Sequence, residues 1–84
     1  MNELVETKRL KSVIGKNIRK VREMQQMSSA EFAALMELNV SHMGLIERGE
    51  RGTTVVTLEK LSRIFNVSID SLFIEHEDTK KYPA

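Results

Sequence analysis

With 84 residues the chain has room for one domain, and a domain so small is marginal unless it packs well or buries more surface in a dimer. It contains no cysteine, which excludes a disulfide framework and a thiolate metal site. No apolar run is long enough to span a membrane and no signal-peptide pattern is found, so the composition suits a cytoplasmic protein. Net charge is only +1, but it is polarised. Lys8, Arg9, Lys11, Lys16, Arg19, Lys20 and Arg22 follow one another with no acid between them, whereas Asp70, Glu75, Glu77 and Asp78 crowd the far end before Lys80 and Lys81. A basic stripe of this kind suits phosphate, although a solvated helix face is the usual fate of Lys and Arg.

In chain order, residues 1–11 place Leu4, Val5 and Leu10 among charges; they form either an arm or an extension of the first helix, and periodicity leaves both open. From Ser12, a candidate N-cap, the spacing predicts a helix to about Gln25 with Val13, Ile18 and Val21 inward. Ser28 is a good N-cap for a second helix, and Glu31 completes a capping box. On that helix Phe32, Ala33, Leu35 and Met36 form the apolar face, with Ala33 small enough for a close crossing. Asn39 caps a third helix whose inward residues are Met43 and Ile46, three apart; Gly49 stops it in a left-handed conformation. Gly52, Thr53 and Thr54 read as an exposed loop, and Val55-Val56 is too short for a strand. Thr57 is expected to cap a fourth helix and Ser68 a fifth, with Asp70 favourable in its first turn. The polar tail, 75–84, is expected to fray. The expected fold is all-α with five helices, the domain running over residues 12–74.

Two short amphipathic helices joined by a tight turn, Ser28 to Gly49, are the pattern of a helix-turn-helix, which presents its second helix to the DNA major groove. Val40, Ser41, Gly44, Leu45 and Arg48 fall opposite Met43 and Ile46 on that second helix. The chain resembles the Xre/Cro family of phage repressors and small bacterial regulators from about Ile14 to Phe73. The blocks that carry the likeness are Ile14-Gly15-Lys16-Asn17-Ile18-Arg19 with Arg22, the helix-turn-helix itself, Glu47-Arg48-Gly49-Glu50-Arg51, the leucines and aromatic of Leu58, Leu61, Ile64 and Phe65, and Val67-Ser68-Ile69-Asp70-Ser71-Leu72-Phe73.

That resemblance implies a compact lambda-repressor-like domain that binds double-stranded DNA and regulates transcription, as a repressor. Base-reading positions map onto Val40, Ser41, Gly44 and Leu45, with His42 at the margin. Only Ser41 there offers a direct hydrogen bond to a base from the central face; Val40 and Leu45 suit thymine methyl groups, and Gly44 lets the helix lie close to the groove floor. Phosphate candidates are Lys16, Asn17, Lys20, Ser28, Ser29, Asn39, Arg48, Arg51, Thr53 and Thr54, with Lys8, Arg9 and Lys11 of the arm behind them. The family usually has glutamine at Ser29, glycine at Glu37 and proline near Thr53, so this chain departs from the pattern at all three. Arg22 and Glu47 correspond to the family's partly buried ion pair between the first and third helices.

Ile69, Leu72, Phe73 and Ile74 form a larger apolar cluster than a short closing helix needs, and a homodimer built on them would set two recognition helices about 34–36 Å apart. Met24, Met27, Met36 and Met43 read as flexible core filling. His42 and His76 lack the spacing and co-ligands of a metal site, and Ser41-His42 has no orienting acid, so neither a metal, a cofactor nor an enzyme is expected. The rival reading is a protein-interaction module that uses the apolar face of the third helix. A regulatory partner protein fits either reading.

Overall fold

The computed structural model describes residues 2–76, with side chains from Thr7 onward; the side chains of Leu4 and Val5 and the charged end of the tail, from Glu77, lie outside what is described. Five helices follow one another: α1 (Asn2–Met24), α2 (Ser29–Met36), α3 (Val40–Glu47), α4 (Val55–Phe65) and α5 (Ile69–Leu72). There is no strand among the described residues. Helix α1 packs on α3 and α5, α2 on α3 and α4, and α4 on α5. Ile18, Val21, Phe32, Met43, Ile46, Leu61 and Leu72 are fully buried at the centre, and the Phe32 and Phe65 rings stack at 5.7 Å between centroids. No described helix is long and apolar enough to cross a membrane.

Local chemistry sets the boundaries. The Ser28 hydroxyl accepts the Glu31 N–H while the Glu31 carboxylate accepts the Ser28 N–H, the reciprocal box expected at the start of α2. Asn39 accepts the His42 N–H and opens α3; Ser68 opens α5. Helix α3 ends in a Schellman arrangement, with the Gly49 N–H bonded to Ile46 and the Glu50 N–H to Leu45, and Gly49 at φ 77°. Three other ends use the left-handed conformation without glycine: Gln26, Glu37 and Asn66.

Several expectations are corrected. Ser12 is not a cap but an interior residue of one long α1, because nothing between Asn2 and Met24 breaks the helix. Thr54, not Thr57, caps α4: its hydroxyl accepts the Thr57 N–H at 3.2 Å, which places Val55 and Val56 in the first turn, both largely exposed. Met24 and Leu35, assigned to the core, sit on outward flanks and are 49% and 39% exposed. Leu72 is entirely buried and belongs to the core, so it has no surface to offer a second copy.

Candidate nucleic-acid interface

Helix α3 buries Met43 and Ile46 and turns Val40, Ser41 and Arg48 to solvent, with His42, Gly44 and Leu45 half-buried. Among the described residues this surface has no carboxylate of its own from Val40 to Leu45; the Glu50 carboxylate reaches it at Arg48, 3.1 Å from Nε. A Cβ added to Gly44 would meet only the tip of the Arg48 guanidinium, 3.2 Å away, so the glycine is not required by packing. It leaves the middle of the face low.

The inner end of α3 is held tightly. At Gly15 the backbone of α1 approaches so closely that a Cβ would lie 2.3 Å from the Ile46 carbonyl oxygen and 2.8 Å from that of Glu47. Two turns further on, the Arg22 guanidinium grips the Glu47 carboxylate in a fork: Nε donates to Oε2 at 2.8 Å and Nη2 to Oε1 at 3.1 Å, while Nη1 donates to the Met27 carbonyl at 3.1 Å. Both side chains are nearly buried, at 14% and 8% exposure. The hydrogen bond from Glu47 raises the Arg22 pKa above its ordinary value; burial opposes this, and the charges of Glu47 and Glu23 add to it. The pair is the expected structural one.

The proposed phosphate contacts divide. Ser28 and Ser29 stand at the start of α2, where the first backbone N–H groups have no helical partner. The Glu31 carboxylate lies there too, bonded to the Ser28 N–H, and it weakens the positive end of α2. Asn39 spends its carboxamide oxygen on the cap and keeps its NH2 group for other partners. Arg48 and Arg51 are exposed beyond α3, with the Arg48 Nε 3.1 Å from Glu50. Thr54 gives its hydroxyl to the cap of α4 and to the Thr57 hydroxyl. The Thr53 Oγ1 is shut away from solvent, the one such side-chain atom without a partner among the described residues, so it is not presented to an outside phosphate.

Asn17 is not a phosphate ligand. It is 2% exposed, and its Nδ2 donates to the carbonyls of Leu72 at 2.8 Å and Ile74 at 2.9 Å, with Ser71 at 3.4 Å. It closes the C-terminal end of α5 from 55 residues away in sequence. The only available signal was an Asn at a polar position beside the apolar stripe of α1, and that does not reveal its acceptors. Lys16 and Lys20 are also parted from α3. Successive helical residues turn by about 100°, so a helix that faces α3 through Gly15 and Arg22 points Asn17 and Lys20 toward α5. Lys16, Arg19 and Lys20 line a cavity of about 370 Å³ with Glu23, Glu75 and His76. Of the apolar cluster expected to pair with a second copy, Ile69 is half-buried, whereas Phe73 and Ile74 are exposed by 41% and 54%. No group of three metal-ligating side chains comes together among the described residues.

A capped helix-turn-helix with its second helix braced from behind and open in front defines a DNA-binding regulator of transcription. Residues 18–72 match the helix-turn-helix family, and the chain belongs to it as an Xre/Cro-like member. It is 30% identical over 63 residues to the control protein C.SmaI of Serratia marcescens, covering 75% of both chains. It is 32% identical over 69 residues to the control protein C.MunI of a Mycoplasma species, covering 81% of this chain and 93% of that one. The crystal structure of the restriction-modification controller protein C.AhdI from Aeromonas hydrophila superposes with a TM-score of 0.66 at 28% identity, over 75% of this chain and 96% of that one.

Proposed function

We propose that the protein binds an inverted-repeat operator as a homodimer and represses the promoter it occupies. The observation that carries this reading is the outer face of α3, open and, among the described residues, with no carboxylate of its own from Val40 to Leu45, on a helix whose C-terminal end is fixed by Gly15 and the Arg22–Glu47 fork. Val40 and Leu45 pack on thymine methyl groups, Ser41 hydrogen-bonds a base edge, and His42 lies at the margin. Arg48, Arg51, the Asn39 carboxamide and the start of α2 at Ser28 and Ser29 hold phosphates. Phe73 and Ile74, exposed just after α5, support self-association through that end, with Ile69 beneath them.

Selection from a pool of random duplexes, sequenced at two salt concentrations, tests the reading. An enriched inverted repeat whose affinity falls steeply with salt is the expected result. Sedimentation of the protein alone and on that duplex gives the stoichiometry, and Phe73→Glu with Ile74→Glu is expected to leave a folded monomer. A reporter driven by a promoter that contains the enriched repeat checks the sign of regulation. Failure to enrich any sequence would overturn the reading.

A further inference from the structure

The basic residues of α1 do not form one surface. Arg9 pairs with Glu75 at 3.4 Å, Arg19 with Glu23 at 3.0 Å, and Lys16 and Lys20 share their cavity with those two carboxylates. This flank carries its own counter-charge. The other flank differs. The stripe of α1 that faces α3 runs through Ser12, Gly15 and Arg22: Ser12 backbone lies against Gly49, Gly15 against the end of α3, and Arg22 on Glu47. Continued toward the N-terminus at helical spacing, the same stripe reaches Lys11 and then Lys8.

Lys11, with Thr7, Leu10 and Ile14, forms one wall of a cleft of about 250 Å³. The facing wall is Ile46, Arg51, Gly52 and Thr53, the segment that leads away from the recognition helix. Among the described residues the lining contains no carboxylate, and neither Lys8, Lys11 nor Arg51 makes an ion pair. Leu10 is 44% exposed at the same place, an apolar surface suited to deoxyribose.

We infer that Lys8, Lys11 and Arg51 form a second backbone clamp, which grips the sugar-phosphate chain outside the base pairs read by α3. The inference rests on the DNA-binding reading above. It adds that the long α1, and not only the helix-turn-helix, is part of the interface, and that Arg9, Lys16 and Lys20, turned to the other flank, are not. A cation touching phosphate releases counterions, so each contact adds about 0.9 to the slope of log K against log salt. The contact carries no sequence information.

The test uses the full chain, fluorescence anisotropy, and the inverted-repeat duplex from the selection with about ten extra base pairs on each side, one helical turn. Lys8→Ala/Lys11→Ala is expected to lower the salt slope by roughly 2 per protomer bound, to weaken binding at least tenfold at about 100 mM salt, and to leave the ranking of operator variants unchanged. Trimming the flanks to the repeat itself is expected to reproduce the loss in the parent protein and to add nothing to the variant. Arg9→Ala/Lys20→Ala is the control and is expected to keep the parent slope. Circular dichroism confirms that all variants keep their helix content. An unchanged slope in Lys8→Ala/Lys11→Ala, or an equal fall in the control, would overturn the clamp while the operator reading stands. A parent protein with no salt-dependent binding to any duplex would overturn both.

Discussion

Replacing Asn17 with alanine removes the side-chain donor that reaches the carbonyls of Leu72 and Ile74 from α1. The Leu72 carbonyl belongs to a fully buried residue, and an unsatisfied buried acceptor costs about 1–3 kcal/mol. The Ile74 carbonyl is nearer the surface and recovers a water, so it contributes little. Loss of packing where the carboxamide sat adds about 1 kcal/mol, while the higher helix propensity of alanine returns roughly 0.5. The sum is about 1.5–3.5 kcal/mol. For a domain of this size each kcal/mol moves Tm by about 4–8 °C, so the midpoint of a thermal melt followed by circular dichroism is expected to fall by roughly 6–28 °C. An outward-facing phosphate ligand would behave in the opposite way, with stability within about 0.5 kcal/mol of the parent and affinity for DNA lost at constant fold. A Tm within about 2 °C of the parent would therefore refute the assignment of Asn17 as the closing group of α5.

Glu47→Ala leaves Arg22 nearly buried with only the Met27 carbonyl, and is expected to destabilise by about 3–5 kcal/mol; unchanged thermal stability would sink the structural role of the pair. Glu37 adopts φ 62°, where a Cβ is strained by about 1–2 kcal/mol, but Glu37→Gly also loses an exposed pair with Lys60 and loosens the unfolded chain, so a net gain of only about 0.5 kcal/mol is expected, and a lower Tm would show that the Lys60 pair outweighs the strain. Gly44→Ala meets only the flexible tip of Arg48, so it is expected to stabilise α3 by up to about 1 kcal/mol while weakening operator binding; full affinity in an anisotropy titration would mean that α3 does not approach the groove floor there.

The residues that were legible in the sequence act on near neighbours. Ser28 with Glu31, and Asn39 with the N–H three residues on, are closed by the chain itself, so the signal and its consequence fall within one turn. Gly49 announces its φ because few other residues hold it easily. Thr54 and Thr57 stand three apart and either suits a cap; what decides between them is that Thr57 is buried against the core, which is a tertiary fact. Met24 and Leu35 are apolar at plausible spacings, yet each lies just past the edge of the stripe its helix buries. Asn17 was beyond reach for the same reason on a larger scale: its acceptors arrive from the other end of the chain. Within the candidate interface, periodicity sufficed to turn Val40 and Ser41 outward. It did not show that five of the seven basic residues from Lys8 to Arg22 lie beside carboxylates, because Glu75 and Glu47 reach α1 only once the chain has folded.

The fixing of α3 at one end has a mechanical consequence. Gly15 and Arg22 hold the helix at Ile46 and Glu47, while Val40 lies at the far end. At 1.5 Å per residue the lever from Glu47 to Val40 is about 10 Å, so a tilt of about 5° at the fulcrum carries Val40 by nearly 1 Å. Recognition tolerates errors of about 0.5 Å, so if Val40 reads a base as proposed, an angular play too small to unfold anything is enough to blur that reading. The close approach of the α1 backbone to that of α3 at Gly15, where no side chain fits, is thus the bearing of a pointer whose tip works in another molecule.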